Sequence, residues 1–136
     1  MDPTSAPDLL ESLRTLPDAH ERLMWITERG RALPPLSPAE RTTAHRVPGC
    51  VSAVWLIDDS RDGLCAFRGD AEAPVLRGLV ALLCARANGR TPAEVAADLT
   101  DVIVALELER HLSPTRAHGV RALQAHIRAR AAALRS

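Results

Sequence analysis

Three thiols, five imidazoles and a handful of paired carboxylates are the groups in this 136-residue chain that could do chemistry. Cys50 stands apart by its neighbours, Val47-Pro48-Gly49-Cys50-Val51-Ser52-Ala53-Val54-Trp55. Pro48 fixes one backbone angle and Gly49 opens conformations closed to other residues, so the cysteine falls on a turn rather than inside an element. A thiol on an exposed turn can meet a sulfur atom of a partner; a thiol on a packed helix face cannot. Position alone leaves open whether Cys50 is reactive or a small buried hydrophobe, a common state for cysteine. Cys65 in a strand and Cys84 in an apolar helix read as core residues. No Cys-x-x-Cys pair exists, and the long spacings give no metal-ligand pattern. His20, His45, His111, His118 and His126 form no His-x-x-x-His pair. His45 is close enough in sequence to polarise Cys50, or is simply a loop residue. Asp58-Asp59 reads as a solvated turn, Glu107 with Glu109 as a helix face, and Asp101 as a carboxylate favoured by a helix dipole.

Composition removes several classes of function. The 17 basic residues are all arginine, and lysine is absent. Without lysine the chain can form no pyridoxal phosphate Schiff base and no Walker-type phosphate loop. One phenylalanine, no tyrosine and a formal net charge of zero provide neither a stacking platform nor an overall field for nucleic acid. The first residues, Met1-Asp2-Pro3-Thr4, show neither a basic nor an apolar signal region, and the apolar run Leu79 to Ala85 is too short for a bilayer. A cytoplasmic location, with reduced thiols, is therefore expected.

The elements that must hold these groups follow from periodicity and breakers. Leu9, Leu10, Leu13 and Leu16 predict a short helix ended by Pro17. Asp18 to Glu21 is a capping-box pattern opening a second helix, with Gly30 as its expected break. Leu33-Pro34-Pro35 predicts a stiff linker, and Ser37-Pro38-Ala39-Glu40 a capped turn. Val51 to Ile57 and Leu64 to Arg68 predict an antiparallel hairpin around Asp62-Gly63, with a further short strand near Arg46. A buried helix is expected from Ala71 to Asn88-Gly89. Thr91-Pro92-Ala93-Glu94 caps another helix, Thr100 to Glu109 predicts a further one, and Ser113-Pro114 opens the last. Its stripe is Val120, Leu123, Ile127, Ala131 and Leu134. The order gives a single α+β domain over 1–136, helices packed on a small antiparallel sheet.

Four segments, in order and at matching spacing, resemble the SufE family of sulfur acceptor proteins. Leu33-Pro34 with Leu36 is similar to its Leu-Pro-x-Leu segment, and Gly49 to Trp55 to its Gly-Cys-x-Ser-x-Val-Trp motif. Gly69-Asp70 followed by Val75-Leu76-Arg77-Gly78-Leu79 resembles its acidic turn and following helix. His111-Leu112-Ser113-Pro114-Thr115-Arg116 with Gly119 resembles its His-Leu-Ser-Pro segment. Departures are Val51 and Ala53, where many members carry glutamine, and Arg77, where lysine is usual.

The resemblance implies a sulfur carrier that accepts persulfide sulfur on Cys50 from a SufS- or CsdA-like cysteine desulfurase, stimulates that enzyme and delivers sulfur to iron–sulfur cluster assembly. Pyridoxal phosphate would reside on the desulfurase; this chain would need no cofactor and no metal. Arg116, with the amides of the last helix's first turn, is expected to stabilise the Cys50 thiolate, or else to pair with Asp70 or Glu107. Asp70 is expected to make a loop or partner contact, and Val51, Trp55 and Leu112 to wall a protective pocket. The resemblance also implies a fold shared with IscU-type scaffolds. Of their three cysteines only the first has a counterpart, Cys50; the others would fall near Asp70 and near Leu112 or Ser113. Two other functional classes stay open: a metal- or cluster-binding scaffold, and a regulator that docks on a desulfurase without using a thiol. A monomer and a homodimer are both compatible with the sequence.

Overall fold

A computed structural model describes residues 6–134; the Met1-Asp2-Pro3-Thr4 stretch lies outside the described residues. The architecture is α+β. Helices α1 (Ala6–Arg14) and α2 (Ala19–Ala32) precede strands β1 (Val54–Asp58) and β2 (Phe67–Ala71). Helices α3 (Pro74–Ala87), α4 (Pro92–Ala97), α5 (Val102–Ala105) and α6 (Pro114–Leu134) follow. The two strands pair antiparallel, with Val54 opposite Ala71 and Asp58 opposite Phe67. Asp62 and Gly63 both take positive φ in the intervening turn. The predicted third strand is reduced to one bridge, Arg46 to Trp55. No described helix is long and apolar enough to cross a membrane.

The strands begin about three residues later than alternation alone predicts. Residues 51–53 form the loop after Cys50, and Gly69 to Ala71, expected as a turn and a helix start, complete β2. Helix α3 therefore begins at Pro74, with proline at its first position. It is buried along most of its length, with Leu79, Val80, Leu82 and Leu83 each at most 5% exposed. Thr91 and Glu94 form the expected reciprocal cap of α4. The expected Thr100 to Glu109 helix shrinks to the single turn of α5, because Glu107 turns into left-handed backbone (φ 57°). Val102, Ile103, Leu106 and Leu108 are fully buried by that tight turn. In α6 the predicted stripe is buried from Val120 to Ala131, whereas Leu134 is exposed.

Gly30 does not end α2, which runs on to Ala32. The residue marks a helix crossing instead. A methyl at Gly30 would lie 2.4 Å from the Gly78 nitrogen, and one at Gly78 would lie 2.0 Å from the Ile26 carbonyl oxygen. Backbone meets backbone where α2 crosses α3, and only glycine fits both sides. Gly78→Ala is expected to cost about 2–3 kcal/mol despite the better helix propensity of alanine, because two helices must move apart. A chemical-denaturation midpoint that stays level would show that the crossing yields easily.

Where Asp18 caps α2, its carboxylate accepts from the Glu21 N–H at 2.9 Å. Arg22, one turn on, is buried and donates to the carbonyls of Leu13, Arg14, Leu16 and Leu106. It thereby satisfies the unpaired end of α1 and ties it to the α5 turn.

Candidate functional site

Cys50 sits where three elements meet. Upstream, the Val47 N–H donates to the Val54 carbonyl at 2.8 Å, and Val47 is buried, so the chain enters the loop anchored against β1. Gly49 then takes φ +85°, a conformation that side chains rarely adopt, and the chain turns toward α6. Downstream, Val54 and Trp55 resume the sheet. From Pro48 to Ser52 the chain makes a turn at Pro48-Gly49 and joins neither a helix nor the strand ladder. What holds Cys50 is its own sulfur, which donates to the Gly119 carbonyl on α6 at 3.4 Å. A methyl at Gly119 would lie 3.7 Å from Sγ, in ordinary contact with it.

The half-buried thiol faces a cleft of about 20 Å³ walled by Val54, Leu76, Thr115 and Arg116, with Val51 at its mouth. That is space for about one water-sized atom group. Val51 is 78% exposed, a large apolar residue presented next to the thiol. Of the other two expected walls, Leu112 is buried in the core instead. Trp55 lies beneath the Arg41 guanidinium, whose carbon is 5.2 Å from the ring centroid, and does not line the cleft. The strand alternates sides, so Val54 faces the thiol and Trp55 does not.

Burial pushes the Cys50 thiol above its ordinary pKa, and the positive charge of Arg46 partly offsets the rise. This differs from the lowered pKa expected from Arg116. Arg116 lines the cleft but is exposed to solvent, which screens it, and the charge acting on the resting thiol is Arg46. Among the described residues Arg116 makes no ion pair. Asp70 and Glu107, its alternative partners, are taken by other arginines. Ser113 caps α6 by accepting from the Arg116 N–H at 3.2 Å. Cys65 is buried beside the strand turn, and Cys84 is sealed in α3, where desolvation pushes its thiol up to about 12. Among the described residues no group of three histidine, cysteine, aspartate or glutamate side chains is arranged to hold a metal ion.

Asp70 does not meet the thiol. Only 1% exposed, it accepts from Arg41 (2.6 Å) and from the N–H groups of Leu36 (2.9 Å) and Ala71 (2.8 Å), and it forms an ion pair with Arg77 (2.8 Å). Arg77 also donates to the Leu33 carbonyl at 2.7 Å. The Leu-Pro linker, the acidic turn and the α3 cation, scattered through the sequence, thus converge on one buried carboxylate. Its contact is with the linker loop of its own chain.

Two residues of the site escape a reading of the sequence as functional groups. Arg46 is legible there only as a strand residue four positions before the cysteine. Gly119 is visible as part of a motif, but its closeness to the sulfur depends on how α6 packs.

Comparison with known proteins accords with this geometry. The family model described as "SufE: Fe-S metabolism associated domain" matches residues 7–131. A SufE-like protein of Rhizobium meliloti is 32% identical over 133 residues, covering 94% of this chain and 95% of that protein. One of Rhizobium etli is 33% identical over 129 residues, covering 91% and 87%. A solution structure of a hypothetical protein from Thermus thermophilus shares the fold, with a TM-score of 0.76 at 23% identity and 98% of each chain covered. With a family match across almost the whole sequence and relatives of similar length, the chain belongs to the SufE family, a family of sulfur transfer in iron–sulfur metabolism.

Proposed function

We propose that Cys50 accepts sulfur from the persulfide of a SufS- or CsdA-like cysteine desulfurase and carries it to a scaffold that assembles iron–sulfur clusters. The supporting observation is the setting of the thiol: half-buried, on a loop outside every helix and strand, against a cleft with space for about one more atom. The Cys50 thiolate attacks the outer sulfur of the donor persulfide. The donor S–S bond breaks, its electron pair leaves on the desulfurase cysteine, and Cys50 ends as Cys–S–SH. No cofactor or metal on this chain takes part; pyridoxal phosphate chemistry belongs to the desulfurase. The setting is that of the cytoplasm, where reductants would strip an unprotected persulfide.

The resting thiol is mostly protonated, since burial raises its pKa. Loading therefore requires the loop to open, breaking the sulfur's contact with the Gly119 carbonyl and its packing at the edge of the core. Once the sulfur leaves the cleft, desolvation falls and the thiolate becomes accessible. Arg116, at the rim, is a candidate to stabilise that thiolate in the docked state. Exposed Val51 is a candidate contact for the desulfurase.

The cleft gives a specific test. Gly119→Ala adds a methyl at ordinary contact distance from Sγ, so α6 stays intact and its stability rises by about 1 kcal/mol at most. The methyl takes up space in the cleft. Loaded protein should then lose its sulfur to glutathione several-fold faster than the parent. Equal loss rates would separate sulfur protection from the cleft.

A further inference from the structure

We propose that a second cavity, between the edge of β1 and α6, binds a small phosphate-like dianion through Arg46 and Arg130, with His126 as an additional donor. The cavity measures about 210 Å³. By the same measure the cleft at Cys50 is about 20 Å³, so this cavity has room for a phosphate with attached atoms. An apolar floor from β1 supports it, and the polar groups converge from two sides. His45 and Arg46 come from the segment leading to Cys50, and His126 and Arg130 lie one turn apart on α6.

The charges on this cavity are unbalanced. Arg130 pairs with Asp58 at 3.2 Å, the one carboxylate lining the site. Arg46 makes no ion pair or side-chain hydrogen bond among the described residues, and neither does the His126 ring. Two guanidiniums against one carboxylate leave a positive site even with both imidazoles neutral. His45 Nδ1–H donates to the Glu40 carbonyl at 2.8 Å, which fixes the ring as a wall of the cavity and makes Nε2 of the neutral imidazole an acceptor, so the donors to an anion are the two guanidiniums and the His126 ring. Guanidinium forks match a tetrahedral oxyanion, and the concave shape removes competing water.

Arg46 belongs both to this cavity and to the surroundings of Cys50, four residues away. An anion on Arg46 cancels the one charge that favours the thiolate. Occupancy of the cavity therefore slows the intrinsic reactivity of Cys50, a link that needs no desulfurase.

The test uses the full chain near pH 7.5 at constant ionic strength set with chloride. Inorganic phosphate, glycerol phosphate and sulfate are titrated by calorimetry and by NMR of the histidine ring signals. Saturable one-to-one binding that moves the His45 and His126 signals is expected. Arg46→Gln and Arg130→Gln should each weaken it by about tenfold or more. Arg61→Gln, the same loss of charge on the hairpin turn, should not. Tighter binding of glycerol phosphate points to a phosphomonoester metabolite, and equal binding to the free ion. Alkylation of Cys50 by iodoacetamide should slow about twofold with saturating phosphate in the parent and stay unchanged in Arg46→Gln. Shifts reproduced by chloride alone, or affinity unaffected by Arg46→Gln and Arg130→Gln, would overturn the site.

Discussion

Replacing Cys50 by serine is expected to abolish stimulation of the partner desulfurase, while Cys65→Ser and Cys84→Ser leave it within about twofold of the parent. A hydroxyl at position 50 keeps the size and the Gly119 contact but cannot take up sulfur at neutral pH. The other two thiols have no route to a partner: each is at most 5% exposed, and Cys84 is held protonated by its burial. Steady-state turnover of cysteine to alanine by the desulfurase, with and without each variant, reads the effect directly. Stimulation that survives Cys50→Ser would mean that the chain activates its partner by docking alone.

Asp70→Ala should bring the largest loss of stability, about 3–5 kcal/mol. Removing this carboxylate leaves Arg41 and Arg77 without their shared counter-ion and strips acceptors from the N–H groups of Leu36 and Ala71. Against a typical total of about 5–15 kcal/mol, the linker and the β2–α3 junction would loosen together. Asp70→Asn keeps the shape and is the milder companion should the alanine variant fail to fold. The pH dependence has a definite sign. Desolvation alone would raise the Asp70 pKa, but the Arg41 hydrogen bond, the two N–H donors and the Arg41 charge outweigh it and hold it below the ordinary 3.8. A carboxylate depressed in the folded state stabilises fully above its unfolded pKa and loses that contribution as pH falls through its folded value. The stability gap between parent and Asp70→Asn should therefore be constant near neutrality and shrink below about pH 4. Urea denaturation at a series of pH values checks it; a gap that widens in acid would contradict the assignment.

The two experiments concern features of unequal legibility in the sequence. The α+β class, the hairpin around Asp62-Gly63, the Thr91 cap and the start of α6 at Pro114 are readable because turn chemistry and capping act locally. Cys50 is readable because Pro48-Gly49 forces a turn and because the surrounding motif is similar to that of a known family. Features set by packing between distant segments are not. Gly30 looks like a helix stop and is a helix crossing, since the reason for it lies 48 residues away at Gly78. Asp70 looks like a turn residue and is the buried hub of two arginines and a linker. Arg116 looks like the cation for the thiolate, but Arg46 is the charge that acts on the resting thiol, through a loop path that periodicity does not encode. The raised pKa of Cys50 follows from burial under α6, again a tertiary property.

The central claim is most directly tested by locating the transferred atom. The chain is incubated with a cysteine desulfurase and free cysteine, trapped with an alkylating reagent and digested for peptide mass spectrometry. One additional sulfur on the peptide containing Cys50, absent when cysteine is omitted, is the predicted result. A peptide that remains unmodified while the desulfurase turns over, or sulfur found on Cys65 or Cys84 instead, would contradict it.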